Sequence, residues 1–281
     1  MINVNGLDYT YVKSKKHAVK DISFQIGTGE IFGLLGPSGA GKTTTQKLLI
    51  GLLRGYKGSV EVMGKERLKW GKDFYETIGV AFDFPNLYLK LTAKENLELI
   101  GSYYKKQVYS PEQLLDMVGL LPDMDKRVEG YSKGMKSRLN FVRPLMHDPQ
   151  LLFFDEPTSG LDPVNAKTIK ETILTLKEKG KTIFLTTHNM TVAEQLCDQV
   201  AFMSEGQIPV IDSPNKLMIS YGEKTLKVLS KDGQSSTFNM THLKENVQFM
   251  ALLNNDLIQS IHSNDASLED VFIRITGRSL L

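Results

Sequence analysis

The sequence has few of the features that would place it in a membrane, in an oxidising compartment or on nucleic acid. Its single cysteine, Cys197, excludes a disulfide or a cysteine-based metal site within one chain. No apolar run approaches the length of a membrane span, and the N-terminus has no signal-peptide profile. Basic residues number 34 against 32 acidic ones, whereas a dedicated nucleic-acid-binding protein usually has a strong basic excess. We therefore expect a cytosolic protein with no nucleic-acid partner, which reaches a membrane only through another chain.

The composition is ordinary for a soluble globular protein, with 41% hydrophobic and 23% charged residues. A length of 281 residues is enough for one large domain, alone or with an appendage. Cys197 lies in a helical pattern, and we interpret it as a small buried hydrophobic residue.

Residues 36–44, Gly-Pro-Ser-Gly-Ala-Gly-Lys-Thr-Thr, match the phosphate-loop pattern G-x-x-x-x-G-K-[ST]. The apolar run 31–35 predicts a strand before the loop, and residues 44–53 predict a helix after it. The glycines let several backbone N–H groups point at one phosphate chain, and the helix N-terminus adds partial positive charge. Lys42 is expected to reach the β- and γ-phosphates, and the Thr43 hydroxyl to hold Mg²⁺. The predicted nucleotide contacts are Pro37, Ser38, Gly39, Ala40, Gly41, Lys42, Thr43 and Thr44.

Two acidic residues follow a second apolar run. Residues 151–154 are all apolar, which is typical of a strand that a parallel sheet buries on both faces. Beside a phosphate loop, Asp155 is predicted to hold Mg²⁺ through water, and Glu156 to position or deprotonate the attacking water. Taken alone, the same pattern would be an ordinary junction between a strand and a turn.

Three further segments complete an ordered set of motifs. Residues 131–139 are Tyr-Ser-Lys-Gly-Met-Lys-Ser-Arg-Leu, residues 159–162 are Ser-Gly-Leu-Asp, and His188 follows the β-rich run 182–187. With the phosphate loop and the Asp-Glu strand, this order resembles the ATP-binding cassette (ABC) ATPases over about residues 1–220. The resemblance implies an α/β fold with a phosphate-loop core, an antiparallel β subdomain and a helical subdomain. It also implies that His188 contacts the γ-phosphate of ATP and helps to complete the hydrolytic site.

The segment 131–139 departs from the family signature, which usually has the sequence Leu-Ser-Gly-Gly-Gln. Tyr131, Lys133 and Met135 replace the leucine, the first glycine and the glutamine, whereas Ser132 and Gly134 are retained. Ser132 opens a helix, so its hydroxyl and the free N–H groups can meet a γ-phosphate. In the family, that phosphate belongs to ATP held by the other subunit. Ser132 would also serve as a plain N-cap, and the two roles are compatible.

The resemblance implies a dimer, which we expect to be a homodimer. Two subunits enclose two ATP molecules, each between the phosphate loop of one subunit and the signature residues of the other. ATP binding then closes the dimer and hydrolysis opens it. The loop at residues 159–162 would cross that interface.

The family places an aromatic residue near the N-terminus, where it stacks on adenine. Tyr11 fits that spacing, and Tyr9 is the alternative. In an alternating strand the two side chains would share one face. We favour Tyr11.

The chain leaves the family pattern at Asp83, where a glutamine is expected that touches Mg²⁺ and the attacking water. A carboxylate can ligate Mg²⁺, but aspartate is shorter than glutamine and carries charge. We expect Asp83 to be a metal ligand alongside Thr43 and Asp155; the alternative is that Asp83 only caps the turn before Pro85. The aromatic-rich segment 82–88 is also the candidate contact with a membrane-spanning partner.

The helical subdomain is expected at about residues 85–145. Thr92 and Glu95 have the spacing of a capping box at the start of a helix. Pro144 falls in the helix after the signature and should bend that helix or end it early.

We place a nucleotide-binding domain at residues 1–220 and a small β/α appendage at residues 221–281. In the appendage, Asp232-Gly233 predicts a hairpin turn between two strands. Tails ending in Ser-Leu-Glu-Asp-Val-Phe, as at residues 267–272, occur in ABC ATPases of bacterial exporters whose permease is a separate chain. The tail therefore favours export.

The leading hypothesis is the ATPase subunit of an ABC exporter, bound to permease subunits at the inner face of the cell membrane; an importer ATPase is a close variant. A soluble ABC ATPase acting on ribosomes or DNA is the main alternative. Translation factors of that type carry two cassettes and chromosome-maintenance members carry a long coiled coil, and the sequence shows neither. A phosphate-loop kinase or switch GTPase would not explain the signature, the Asp-Glu pair and His188 together.

Overall fold

The computed structural model describes residues 1–12, 14–222, 225–264 and 266–277. They belong to two compact units, Met1–Ile211 and Asp212–Leu281. Within the described residues, the strands are β1 (Ile2–Thr10), β2 (His17–Ile26), β3 (Ile31–Leu35), β4 (Lys57–Val62), β5 (Lys65–Glu66), β6 (Ile78–Ala81), β7 (Leu151–Asp155), β8 (Thr182–Thr187), β9 (Gln199–Ser204), β10 (Gln207–Asp212), β11 (Thr225–Ser230), β12 (Ser235–Asn239) and β13 (Ile258–Asn264).

The α-helices of the same residues are α1 (Lys42–Leu49), α2 (Ala93–Gly101), α3 (Pro111–Met117), α4 (Lys133–Val142), α5 (Pro163–Glu178), α6 (Met190–Leu196), α7 (Pro214–Tyr221), α8 (Val247–Asn254) and α9 (Leu268–Thr276). Short 3-10 helices lie at Arg67–Lys69, Lys72–Glu76, Leu121–Asp123, Val128–Gly130, Arg143–Leu145 and Met240–Glu245. Among the described residues, every helix is too short or too polar to span a bilayer.

The first unit is built on a six-stranded sheet of order β10-β9-β3-β8-β7-β6. Strands β9, β3, β8, β7 and β6 run parallel, and every residue of β3, β7 and β8 is buried. The apolar runs 31–35 and 151–154 and the β-rich run 182–187 therefore predict these strands correctly. Because parallel strands end at the same edge of a sheet, the segments that follow β3, β7 and β8 meet there.

A second sheet, of order β2-β1-β4-β5, is antiparallel and shares an aromatic core with the first. Phe24 of β2 stacks on Phe32 of β3, with 5.2 Å between ring centroids. Phe184 of β8 lies 6.2 Å from Phe32 and 5.6 Å from Phe153 of β7. The same four rings thus join the two sheets and connect the central strands of the larger one.

The helix after the phosphate loop starts and ends earlier than residues 44–53. α1 begins at Lys42 and ends at Leu49. It ends there because Gly51 turns the chain with a φ of 76° and donates its N–H to Leu48 O.

The helical region carries the predicted end signals. Thr92 caps α2, and Glu95 completes the capping box. α4 ends at Val142, and the chain continues as a 3-10 turn that contains Pro144. A proline that lacks an N–H cannot continue the α-helical bonding, so this helix ends early as expected.

The second unit has a three-stranded sheet of order β12-β11-β13. β11 and β12 form the predicted antiparallel hairpin, and a small core of Val228, Phe238 and Phe249 lies between the sheet and α8. α7 packs against α9 of the same unit, so the compact units divide after Ile211 rather than after residue 220. The functional boundary at residue 220 remains a prediction. The appendage also includes Glu223, Lys224, Asp265 and residues 278–281, which lie outside the described part of the chain.

We predict that Phe184→Ala lowers the free energy of unfolding by about 3–5 kcal/mol, since it leaves a cavity at the centre of the aromatic core. Denaturant unfolding of the purified protein measures this loss. Val164→Ala, at a side chain that is 75% exposed, is the control and should change stability by less than about 0.5 kcal/mol. A Phe184→Ala loss no larger than the control would contradict this account of the core.

Candidate active site

The phosphate loop joins β3 to α1 and has the backbone that its glycines allow. Gly41 has a φ of 116°, and a β-carbon there would lie 2.4 Å from Ala18 O, so only glycine fits. Lys42 is 7% exposed, and its Nζ donates to Gly36 O at 2.5 Å and to Pro37 O at 3.1 Å. The ammonium group is therefore held against the loop that would cradle a phosphate.

Burial lowers the pKa of Lys42, and the negative charges of Glu156 and Asp155 oppose that shift. The two carboxylates thus stabilise the charged form of Lys42 against the cost of its burial. A phosphate chain in the loop would supply more negative charge of the same kind.

Asp155 ends β7 with both carboxylate oxygens engaged. Thr43 Oγ1 donates to Asp155 Oδ2 at 3.2 Å, and Thr186 Oγ1 on the neighbouring strand β8 donates to Oδ1. Asp155 is 6% exposed. The loop hydroxyl and this carboxylate therefore form the oxygen-rich pair that the sequence predicts for Mg²⁺.

Glu156 follows Asp155 in a left-handed conformation, with a φ of 50°. Its Oε1 accepts from His188 N at 2.9 Å and from His188 Nδ1 at 2.8 Å. Its Oε2 accepts from Thr187 Oγ1 at 2.9 Å. A non-glycine residue at positive φ costs free energy, and here three hydrogen bonds hold the side chain in place.

These groups surround a cavity of about 360 Å³ that is open to solvent. Tyr11 lies at its rim, where its hydroxyl is 3.1 Å from Thr44 Oγ1, whereas Tyr9 is 8% exposed within the core. Of the two tyrosines, Tyr11 is therefore the one that can stack on the adenine base of a nucleotide. The cavity is lined by Tyr11, Ala18, Ser38, Gly39, Gly41, Lys42, Thr43, Thr44, Asp83, Asp155 and Glu156.

Two of the predicted phosphate-loop contacts do not line this cavity. Ala40 is 4% exposed, and its N–H donates to Pro37 O within the loop. Pro37 directs its carbonyl oxygen to Lys42 and Ala40. Both residues shape the loop, and their direct contact with nucleotide stays a prediction.

The signature residues lie elsewhere on the same unit. Ser132 caps α4 and accepts from Met135 N at 3.2 Å. A β-carbon on Gly134 would lie 3.5 Å from Leu161, and one on Gly160 would lie 3.1 Å from Lys133 Nζ. The signature therefore packs against the loop at residues 159–162, and Ser132 and Gly134 do not line the cavity around the phosphate loop.

Asp83 follows β6 and lines the cavity with Thr43 and Asp155. It makes no hydrogen bond with any described residue, so its carboxylate does not cap the turn before Pro85. Across the described residues, no three His, Cys, Asp or Glu side chains converge to hold a metal by themselves. A cation here would therefore need nucleotide phosphates or water to complete its ligands.

Sequence reasoning missed the two threonines that hold the acids, Thr186 and Thr187. They end β8, next to β7, and their register places Thr186 opposite Asp155. Two consecutive hydroxyl residues at the end of a buried strand were the available signal. That signal becomes specific only when the two strands are known to be neighbours.

Comparison with known proteins defines the class of this fold and site. Residues 19–159 match the family model described as ABC transporter. The chain belongs to the ABC transporter family, as an ATP-binding and ATP-hydrolysing subunit. The family and fold that the motifs predict are confirmed.

Individual relatives resemble the chain over nearly its whole length. It is 51% identical to a fluoroquinolones export ATP-binding protein of Mycobacterium tuberculosis, over 100% of the chain and 94% of that protein. It is 35% identical to Nod factor export ATP-binding protein I of Rhizobium johnstonii, over 99% and 96%. A dimeric ATP-binding cassette in a post-hydrolysis state, bound to ADP and phosphate, matches with a TM-score of 0.68 and 26% identity, over 76% of the chain and 98% of that structure.

We predict that Thr186→Val lowers the free energy of unfolding by about 1–3 kcal/mol, because it leaves a buried carboxylate oxygen of Asp155 without its donor. The hydroxyl is replaced by a methyl group of similar size, so packing is nearly unchanged. Thr175→Val, on the exposed face of α5, is the control. Equal stability of the two variants in denaturant unfolding would argue against the bond to Asp155.

Proposed function

We propose that this chain powers export through a separate membrane permease by hydrolysing ATP between two copies of itself. The observation that best supports this proposal is the way in which the Glu156 side chain is held. Its carboxylate is fixed by Thr187 and His188 at the sheet edge where Lys42 and Asp155 also lie. A fixed carboxylate beside a phosphate loop is what the deprotonation of an attacking water needs.

Each side chain has a role that follows from its contacts. Glu156 accepts the proton of the attacking water, and His188, whose Nδ1 bonds to Glu156, keeps that carboxylate aimed at the γ-phosphate. Lys42 contacts the β- and γ-phosphates once they replace its bonds to the loop carbonyls. Tyr11, at the rim, stacks on adenine.

The oxygen ligands fit Mg²⁺, which prefers oxygen and keeps several waters and phosphates among its ligands. Thr43 Oγ1 and Asp155 Oδ2 lie 3.2 Å apart, and Asp83 lines the same cavity with an unbonded carboxylate. These three residues would hold the ion. When bound, it neutralises developing charge on the phosphates.

The need for a second copy follows from where the signature lies. Ser132 and Gly134 do not line the phosphate-loop cavity of their own chain, and the helix that Ser132 caps presents free N–H groups. These groups suit the γ-phosphate of a nucleotide held by another copy. The dimeric state of the structural relative supports a homodimer.

Export, rather than import or work on ribosomes or DNA, is supported by the names of the relatives from Mycobacterium tuberculosis and Rhizobium johnstonii. The surface for the permease is the segment 82–88, where Phe84 is 77% exposed and Tyr88 is 49% exposed. Aromatic side chains that remain exposed in one segment mark an interaction surface. Through this contact the chain would sit at the inner face of the cell membrane.

We predict that Glu156→Gln lowers the rate of ATP hydrolysis by about a hundredfold or more, since an amide cannot accept the proton of water. ATP binding, measured by calorimetry, should persist. Glu178→Gln on the exposed side of α5 is the control and should hydrolyse ATP at the wild-type rate. Near-normal turnover by Glu156→Gln would remove Glu156 from this role.

Ser132→Arg should block hydrolysis by obstructing the ATP-dependent dimer, while a monomer still binds nucleotide. Light scattering with ATP in the Glu156→Gln background reports the dimer. Ser110→Arg is the matched control, because Ser110 also caps a helix, α3, through a bond to the third residue. Hydrolysis is compared with Glu156 intact. If Ser132→Arg matches Ser110→Arg both in hydrolysis and in ATP-dependent dimerisation, the proposed site shared between two subunits is wrong.

Asp83→Ala should raise the Mg²⁺ concentration needed for half-maximal hydrolysis, since a metal ligand is lost. Asp83→Gln should be milder, because its amide oxygen can still reach metal or water. A Mg²⁺ titration of ATPase activity, paired with thermal melts, measures both. Wild-type Mg²⁺ dependence in both variants would show that Asp83 is not a ligand.

A further inference from the structure

A buried amide links α4 to the segment that carries Asp83. Asn140 on α4 is 5% exposed, and its Nδ2 donates to the main-chain oxygen of Phe82 at 2.7 Å. Just beyond α4, Arg143 Nη1 donates to the main-chain oxygen of Asn86. The segment is thus held to the end of one helix on both sides of Asp83.

The bond to Phe82 decides which way the amide of Asn140 faces. Two carbonyl oxygens at 2.7 Å would repel each other, so the NH₂ group faces Phe82 and Oδ1 faces away. Oδ1 is buried and accepts no hydrogen bond from any described residue. An acceptor in this position needs a donor.

Asn140 lines a small cavity of about 20 Å³ together with Asp83, Asp155 and Glu156. Ionised carboxylates only accept hydrogen bonds, so these acids cannot donate to Oδ1. The hydroxyl residues Ser137 and Ser159 also line the cavity, but neither donates to Oδ1. A polar cavity of this size is large enough for one water. A water can donate one hydrogen to Oδ1 and the other to a carboxylate, and so connects the amide to the acids.

We propose that Asn140 is a positioning residue for Asp83: its Nδ2 fixes the main chain at Phe82, and its Oδ1 holds one water that orients the Asp83 carboxylate. The inference rests on the proposed role of Asp83 as a metal ligand.

The first measurement reports the segment directly. A nitroxide label on Phe84→Cys is selective, because burial raises the pKa of the Cys197 thiol and keeps it unreactive. In the full chain without nucleotide, Asn140→Leu should increase the mobility of this label in the paramagnetic resonance spectrum. This readout depends neither on metal nor on hydrolysis.

The second measurement is the Mg²⁺ requirement of the unlabelled protein. Asn140→Leu should raise the Mg²⁺ concentration for half-maximal hydrolysis about tenfold or more, as loss of a residue that orients a ligand does. The double variant with Asp83→Ala should match Asp83→Ala alone, because Asn140 acts through Asp83. A purely structural loss would lower stability and leave the Mg²⁺ requirement unchanged.

Asn96→Leu is the matched control. Asn96 is 1% exposed, and its Nδ2 likewise donates to main-chain oxygens, those of Tyr88 and Thr92, but it does not line the small cavity. Because Asn96 holds the other end of segment 82–88, it is a control for the Mg²⁺ requirement only: this variant should lose stability while keeping the wild-type Mg²⁺ requirement. If Asn140→Leu does not fold, Asn140→Asp replaces it in both measurements. This variant keeps the size of the side chain, but its carboxylate cannot donate a hydrogen bond to Phe82 O.

An unchanged label spectrum in the Asn140 variants, an unchanged Mg²⁺ requirement, or losses that multiply in the double variant would each overturn the proposal. A wild-type Mg²⁺ requirement in Asp83→Ala would overturn it as well. Failure of the proposed function is seen separately, as persistent hydrolysis in Glu156→Gln.

Discussion

The active site depends on the register of three buried parallel strands. Leu35 of β3 lies opposite Thr187 of β8, and Thr186 lies opposite Asp155 of β7. This register brings the phosphate loop, the two acids and His188 to one edge. A slip of one residue would move a strand by about 3.3 Å and exchange the two faces of its side chains. The hydrogen bonds that Thr186 and Thr187 of β8 donate to Asp155 and Glu156 would then be lost.

The aromatic core explains why this register is specified. β3, β7 and β8 are buried throughout, so an alternating polar face cannot select it. Phe32, Phe184 and Phe153 instead contact one another across the strands, and Phe24 joins them from the second sheet. Large rings that interlock have few other packings, which gives the strands one alignment.

Local patterns predicted the parts of the molecule that local chemistry decides. The phosphate loop, its flanking strand, the Thr92 cap and the end of α4 near Pro144 all follow from a few consecutive residues. Thr187 and Asn140 could not be found in this way, because each acts on a segment that is distant in sequence. The end of α1 was missed since the turn at Gly51 depends on its backbone conformation.

The charges around the cavity constrain how a nucleotide can bind there. Lys42 shares the lining of this cavity with the carboxylate residues Asp83, Asp155 and Glu156, and it interacts electrostatically with the last two. A nucleoside triphosphate adds more negative charge, so backbone N–H groups and Lys42 are not enough to balance it. By its resemblance to the family, the sequence has Asp83 where a neutral glutamine is expected, and this third carboxylate makes the imbalance larger. A divalent cation removes the conflict, because it turns carboxylates that repel phosphate into ligands that share the ion with it. If Asp83 is a metal ligand as proposed, nucleotide binding in this chain would depend more on the metal than it would with a glutamine at this position.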